Sequence, residues 1–351
     1  MSQTLVTAAD AAADLQRFDT VIDVRSPAEY AEDHLPGAVN WPVLDDEQRC
    51  VVGTLFKQES PLQARKVGAA MVARNIAGHL DRWVADKPRG WQPLVYCWRG
   101  GQRSGTLAWF LGQIGFRTAQ LQGGYKAFRA VVRADLEAWP GRFDFRVLCG
   151  RTGCGKTRLL QALAAAGAQT LDLEALAEHR GSVLGGWPGQ PQPSQKGFDT
   201  RLWLALRNCD AARPVFVEGE SRRIGLLRVP ESLIRQLREH GQCVRVELDE
   251  AARLQLLLDE YGHLADDVEG FCHMLDALVE LRGRDVVRGW QEQARAGRWA
   301  EVFTDLMQRH YDPLYERSYR SSYRQLDKAM VLQLQAVDAT ALRQAVRPLL
   351  D

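Results

Sequence analysis

Short apolar runs bounded by turn residues alternate along this chain with longer stretches whose apolar residues recur every three or four positions. The first kind reads as buried strand and the second as amphipathic helix. Thr20, Val21, Ile22, Asp23, Val24 and Arg25 form the first clear strand, ending at Ser26-Pro27, where Pro27 suits the opening turn of a helix. Residues 34–40 read as a turn into a second short strand. Residues 62–86 read as a helix with Leu62, Val67, Ala70, Met71, Ile76, Leu80 and Trp83 on one stripe. Leu94-Val95-Tyr96 is another strand, residues 106–111 a helix face, residues 119–124 a strand closed by glycines, and residues 125–139 a helix halted by Pro140-Gly141. Strand–helix alternation of this kind builds a parallel sheet. The boundary falls at residue 140, with one domain over 1–140 and a second over 141–351.

The second domain repeats the alternation. Residues 143–149 read as a strand and 158–166 as a helix. Residues 214–217 and 244–248 read as strands, and 231–240 and 250–261 as helices. A mostly helical stretch, about 271–324, precedes a last strand at 330–334 and a closing helix at 341–350.

Length agrees with two domains, since 351 residues exceed one comfortable core. A formal net charge of +1 excludes a bulk basic coat for nucleic acid, so such a partner would meet local patches. Seven cysteines without a CxxC pair or framework spacing imply reduced thiols. No apolar run reaches the roughly 18 residues of a membrane span, and the first residues lack a signal-peptide pattern. A cytoplasmic protein with no membrane partner is the expectation.

Two stretches carry chemistry. Cys97 ends a strand and opens the turn Trp98-Arg99-Gly100-Gly101-Gln102-Arg103-Ser104 into a helix. Converging backbone N–H groups and the positive helix end favour a thiolate nucleophile there. Arg99, Gly100, Gly101, Arg103 and Ser104 would bind an anionic donor, whereas the plainer alternative is a buried, inert cysteine beside an ordinary turn. Downstream, Gly150-Arg151-Thr152-Gly153-Cys154-Gly155-Lys156-Thr157 matches the phosphate-loop pattern between a strand and a helix. Gly150, Gly153 and Gly155 let the backbone wrap a diphosphate, Lys156 reaches its terminal phosphate, and Thr157 suits Mg²⁺. The partner acid is Glu218 at a strand tip, or Asp172; either could instead be a solvated strand-end carboxylate. The Gly/Pro-rich residues 181–194 read as a mobile lid, a binding loop or a linker. Arg282, Arg284, Arg288, Trp290, Arg309, Tyr311 and Arg317 interleave guanidinium groups with aromatics, which suits phosphates and unpaired bases. The acids Asp285, Glu292, Glu301 and Asp305 among them equally fit a solvated helix face.

Over about residues 5–135 the chain resembles the rhodanese family, through Asp23-Val24-Arg25-Ser26-Pro27-Ala28-Glu29-Tyr30, His34-Leu35-Pro36-Gly37-Ala38-Val39-Asn40 and the Cys97 loop. Rhodanese loops commonly read C-x4-R, whereas Cys97 to Arg103 is C-x5-R, a spacing shared with cysteine phosphatases. Such phosphatases usually carry His before the cysteine, where this chain has Tyr96. The pairing of that loop with the phosphate loop, together with His179-Arg180-Gly181-Ser182, Glu218-Gly219-Glu220-Ser221 and His310-Tyr311-Asp312-Pro313, resembles the tRNA 2-selenouridine synthase family across essentially the whole chain. The resemblance implies an α/β protein: a rhodanese-like parallel-sheet domain followed by a P-loop NTPase-like α/β domain with a helical C-terminal extension. It implies a transferase that exchanges sulfur for selenium at the wobble 2-thiouridine of tRNA, after S-geranylation of that base. Selenophosphate and geranyl diphosphate would be co-substrates, with no tightly bound cofactor, Mg²⁺ as an ion to consider, and a selenophosphate-producing enzyme as a partner. Selenium would pass through Cys97 as a perselenide. The competing readings are a sulfurtransferase coupled to an ATP/GTP-dependent kinase or NTPase, a rhodanese-fold cysteine phosphatase, and a non-catalytic persulfide carrier.

Overall fold

The computed structural model describes residues 4–181, 190–315 and 322–350. Two compact units divide the chain: residues 1–135 with 193–204, and residues 136–192 with 205–351.

In the first unit β1 (Thr4–Val6), β2 (Thr20–Asp23), β3 (Val39–Asn40), β4 (Pro93–Tyr96) and β5 (Ala119–Leu121) form one sheet in the order β1-β5-β4-β2-β3. Every neighbouring pair is parallel. The central strand β4 is buried along its whole length, which explains its continuous apolar run. Helices α1 (Ala8–Ala13), α2 (Pro27–Glu32), α3 (Asp46–Gln58), α4 (Pro61–Trp83), α5 (Gln102–Ile114) and α6 (Gly124–Ala138) connect and cover the strands. Ile22, Val95, Cys97, Leu107, Ala108, Leu111 and Ile76 belong to one core cluster.

One local expectation gives way here, and one helix appears that no pattern announced. The stripe foreseen on the long helix is mostly wet: α4 buries Ala64, Gly68 and Ile76, while Leu62, Val67 and Trp83 are exposed. Small residues face α3 because they let it approach, with Val52 meeting the position a Cβ of Gly68 would take at 3.4 Å. Helix α3 itself has no buried residue, so no apolar stripe announced it. Its start is local chemistry: the Asp45 carboxylate accepts from Gln48 N, and Gln48 returns a bond to Asp45 N.

In the second unit β6 (Phe145–Cys149), β7 (Gln169–Leu171), β8 (Val215–Glu218), β11 (Gln242–Glu247) and β12 (Met330–Gln333) pair in parallel in the order β12-β11-β6-β8-β7. A small antiparallel hairpin, β9 (Arg223–Ile224) and β10 (Leu227–Arg228), follows β8. Helices α7 (Lys156–Ala165), α8 (Leu173–Ala177), α10 (Glu231–Glu239), α11 (Glu250–Tyr261) and the closing helix Ala339–Leu350 surround this sheet. Leu159, Leu160 and Leu163 of α7 share a core with Leu148, Val244, Val246 and Leu342. A second apolar cluster joins α11 to α12 (Val268–Asp276), α13 (Val279–Arg282), α14 (Arg284–Arg295) and α15 (Trp299–Leu306) around Phe271, Trp290 and Phe303.

Residues 193–204 belong with the first sheet, although the sequence reading assigned everything past 140 to the second domain. They include the start of α9 (Gln195–Arg207). Arg129 of α6 donates to Asp199 at 2.8 Å and to Thr200 Oγ1 at 2.9 Å, and Phe128 packs edge-on to Trp203 at 5.5 Å. Among the described residues no helix is long and apolar enough to cross a membrane.

Candidate functional site

Cys97 follows directly on β4 and is 3% exposed. The loop after it turns at Gly100, whose φ of +64° favours glycine, and a Cβ there would collide with Leu121 O. Gly124, at φ +57°, approaches Cys97 O and Gly100 N just as closely. Two glycine turns therefore pack backbone against backbone. The start of α6 completes the clamp, with Tyr125 N donating to Cys97 O at 2.8 Å and Lys126 N to Trp98 O at 2.9 Å.

Helix α5 points its N-terminus at this loop. In its first turn the fully buried Ser104 places Oγ 3.3 Å from Cys97 Sγ. The Ser104 hydroxyl, a candidate for the donor anion, lies within reach of both Cys97 Sγ and Gly101 O at 3.3 Å. Arg103, assigned to the same anion, donates to Glu29 at 2.9 Å. Burial alone would push the Glu29 carboxyl up, but the Arg103 hydrogen bond and charge prevail and hold it low. An arriving anion must therefore compete with Glu29 for Arg103. Arg99 is exposed and has no ion-pair partner among the described residues. Lys196 lies over the Trp98 ring at 5.8 Å and pairs with Glu32 at 2.7 Å, bringing a further cation beside the loop.

In the second unit the phosphate loop leaves β6 and enters α7, with Gly153 at φ +76° and Gly155 at φ +84°. A Cβ on Gly150 would come within 2.5 Å of Cys154 Sγ and Val246 O, so only glycine fits. Lys156 Nζ donates to Gly150 O at 2.9 Å. Burial opposes its charge, but the neighbouring Cys154, Glu218 and Glu220 outweigh burial and hold the ammonium above its ordinary value. A cavity of about 430 Å³, lined by Gly150, Arg151, Arg245, Arg253 and Tyr315 among others, opens beside the loop.

Sequence reasoning missed the clamp that holds this loop. Arg253, 2% exposed on α11, donates to Thr152 O at 2.9 and 3.2 Å and makes a two-pronged pair with Asp312 at 2.7 and 3.1 Å. Asp312 lies in the His310-Tyr311-Asp312-Pro313 stretch, so that motif is tied to the phosphate loop through one guanidinium. Arg253→Met should lower the unfolding free energy by about 3 kcal/mol, because the Thr152 carbonyl loses its donor and Asp312 its two-pronged partner, keeping Arg151 at 3.6 Å. Arg253→Lys should restore little of it, as an ammonium lacks the planar fork. Denaturant melts of the three proteins check this; equal midpoints for wild type and the Met variant would refute it.

Of the two candidate acids, Glu218 is the one that lies beside Thr157 of the phosphate loop. It is 4% exposed at the tip of β8 and bonds the Thr157 side chain, while its Oε1 has no hydrogen-bond partner among the described residues. Asp172 is used otherwise, as the cap of α8, accepting from Ala175 N at 2.8 Å. The unsatisfied Glu218 oxygen beside Thr157 fits a hard cation, which these two side chains would hold. No group of three or more His, Cys, Asp or Glu among the described residues is placed to hold a metal by itself.

Two further carboxyls, Glu174 and Glu220, converge where Gly181 passes. Burial first, and then the charge of Glu218, pushes Glu220 up to about 8. Burial and the charge of Glu220 push Glu174 up to about 10. The folded chain thus keeps protons that the unfolded chain sheds near the ordinary value of 4.5. The associated stability is fully present below that value and is lost as pH rises through about 8. Between about pH 6 and pH 9 the melting temperature of Glu220→Gln should fall less than that of wild type, a difference read by paired thermal melts. Parallel curves would remove Glu220 from this account. The Glu218-Gly219-Glu220 spacing carried a signal for one of these acids; nothing local marked Glu174.

The arginine/aromatic segment divides. Trp290 is 1% exposed and donates Nε1 to Asp305 at 2.8 Å, so it is core and cannot stack a base, correcting the sequence reading. Arg282 is spent on His310, donating Nε to Nδ1 at 3.1 Å and Nη2 to the carbonyl at 3.1 Å. Tyr311 is half-buried against His310. Arg284, Arg288 and Arg309 are exposed, Arg288 paired with Asp285 at 3.8 Å and Arg309 with Asp305 at 3.0 Å. Arg317 and most of the 181–194 segment lie outside the described residues.

A cysteine loop on one parallel sheet and a complete phosphate loop on another define a rhodanese-like domain combined with a P-loop domain. Residues 7–131 match the rhodanese-like domain family, and residues 143–273 match the family described as the tRNA 2-selenouridine synthase AAA domain. A relative from Nitrosomonas europaea, named tRNA 2-selenouridine synthase, is 36% identical over 69% of this chain and 63% of its own length. Relatives of the same name from Aeromonas salmonicida and Shewanella denitrificans are 32% and 30% identical over 84% and 93% of this chain, and 86% and 94% of theirs. The match thus spans less than two thirds of the first relative and most of the other two. The chain belongs to the tRNA 2-selenouridine synthase family.

Proposed function

We propose that the protein is a transferase that replaces sulfur by selenium in the wobble 2-thiouridine of tRNA, working in two stages at its two loops. At the phosphate loop geranyl diphosphate is the donor: the base sulfur bonds the geranyl carbon, the carbon–oxygen bond breaks, and diphosphate leaves. Lys156 and the loop N–H groups stabilise that departing charge, and Glu218 with Thr157 would hold Mg²⁺ against it. At the Cys97 loop selenophosphate is engaged: selenium bonds C2, geranylthiolate leaves, and water then cleaves the selenium–phosphorus bond to release phosphate. Arg99 and, once freed from Glu29, Arg103 are suited to the donor's phosphate. The exposed Arg284, Arg288 and Arg309 are the surface cations suited to tRNA phosphates.

Relatives of that name matching over 84% and 93% of the chain carry this reading. It is tested by mass spectrometry of nucleosides from 2-thiouridine tRNA incubated with the protein and either or both co-substrates. Geranyl diphosphate alone should yield the S-geranylated base, and both together the selenium-substituted base. Unchanged tRNA accompanied by nucleotide hydrolysis would overturn it in favour of a sulfurtransferase coupled to an NTPase.

A further inference from the structure

Gln120 sits in β5, next to β4, in register with Val95 two residues before the cysteine, and is 5% exposed. Its amide nitrogen lies 2.9 Å from Gly100 O, 3.1 Å from Gly101 O and 2.8 Å from Ser104 Oγ. Two of these partners are carbonyl oxygens, which only accept, so chemistry itself requires that nitrogen, and not oxygen, face them. Two hydrogens serve three acceptors. The shortest contact takes one at Ser104, and the adjacent carbonyls share the other.

This arrangement decides where the Ser104 hydroxyl hydrogen goes. Ser104 Oγ is 3.3 Å from Cys97 Sγ and equally 3.3 Å from Gly101 O. Gly101 O already receives the Gln120 amide, and one Ser104 lone pair is occupied by the same group. The sulfur is the acceptor left. We propose that Gln120 is a positioning residue for Cys97, directing the Ser104 hydroxyl onto the sulfur so that the anionic, nucleophilic form is held by a hydrogen bond. A side chain needed only to fill this space could be replaced by an apolar one of equal length without consequence for the sulfur.

The inference rests on the reading of Cys97 as the reactive group; its test uses neither tRNA nor a selenium donor, so its failure is distinguishable from a failure of the proposed selenium transfer. The full-length protein is alkylated with iodoacetamide across pH, and the modified Cys97 peptide is quantified by mass spectrometry. Wild type, Ser104→Ala, Gln120→Met and the double variant are compared. At neutral pH both single variants should react about ten-fold more slowly, the worth of one hydrogen bond to a charged group, and should regain the wild-type rate at alkaline pH. The double variant should be no slower than Ser104→Ala, because both changes remove the same hydrogen bond. A wild-type rate for Gln120→Met, or penalties that multiply in the double variant, would overturn the proposal. Should far-UV circular dichroism show Gln120→Met misfolded, Gln120→Glu replaces it. Its carboxylate would accept the Ser104 hydroxyl and draw it off the sulfur, so a wild-type rate there overturns the proposal equally.

Discussion

Cys97→Ala is expected to lower formation of the selenium-substituted base by at least about 10³-fold, while the S-geranylated base still forms and accumulates. Deleting one buried sulfur atom costs about 1 kcal/mol of packing, too little to unfold a core that also contains Ile22, Val95 and Leu107. The lost activity would therefore report chemistry. Accumulation of the geranylated base is the decisive observation, because it places Cys97 after the diphosphate step. Selenium-substituted base formed at the wild-type rate would take Cys97 off the route altogether.

Lys156→Ala should act on the other half-reaction, reducing geranylation by about 10²- to 10³-fold. Lys156 is the positive charge that opposes Glu218, Glu220 and Glu174 around the phosphate loop. Without it an incoming diphosphate loses the cation that offsets these carboxyls. Lys156→Arg should recover little, since the loop carbonyl of Gly150 receives a compact ammonium at 2.9 Å and a planar guanidinium needs more room. Supplying tRNA that already carries the geranyl group separates the stages: Lys156→Ala should then form the selenium-substituted base at close to the wild-type rate. Failure on that substrate too would mean that the phosphate loop serves selenium transfer as well.

Local patterns made much of this protein readable from its residues. Buried parallel strands must be apolar throughout, so Leu94-Val95-Tyr96 and the strand before the phosphate loop stood out. Glycines that must turn left-handed or admit another backbone, such as Gly100 and Gly155, marked both loops. The helix α3 did not stand out, because none of its residues is buried and only its capping box distinguishes it. Trp290 was misjudged for a related reason. An aromatic amid arginines has the same sequence whether it faces solvent or a core, and here Phe271 and Phe303 share its cluster.

Residues within a few positions of one another were enough to reveal most strands, the position of Cys97 at a strand end and the phosphate-loop backbone, and strand–helix alternation implied parallel sheets. Which polar groups are committed was settled by folding. Arg103 meets Glu29 across 74 residues, Arg253 meets Asp312 across 59, and Gln120 meets Ser104 across 16. It likewise placed residues 193–204 with the first sheet through Arg129 and Trp203. A hydrogen bond or ion pair between distant positions leaves no periodicity in the chain. It exists only where folding brings donor and acceptor together and burial removes the water that would otherwise satisfy them.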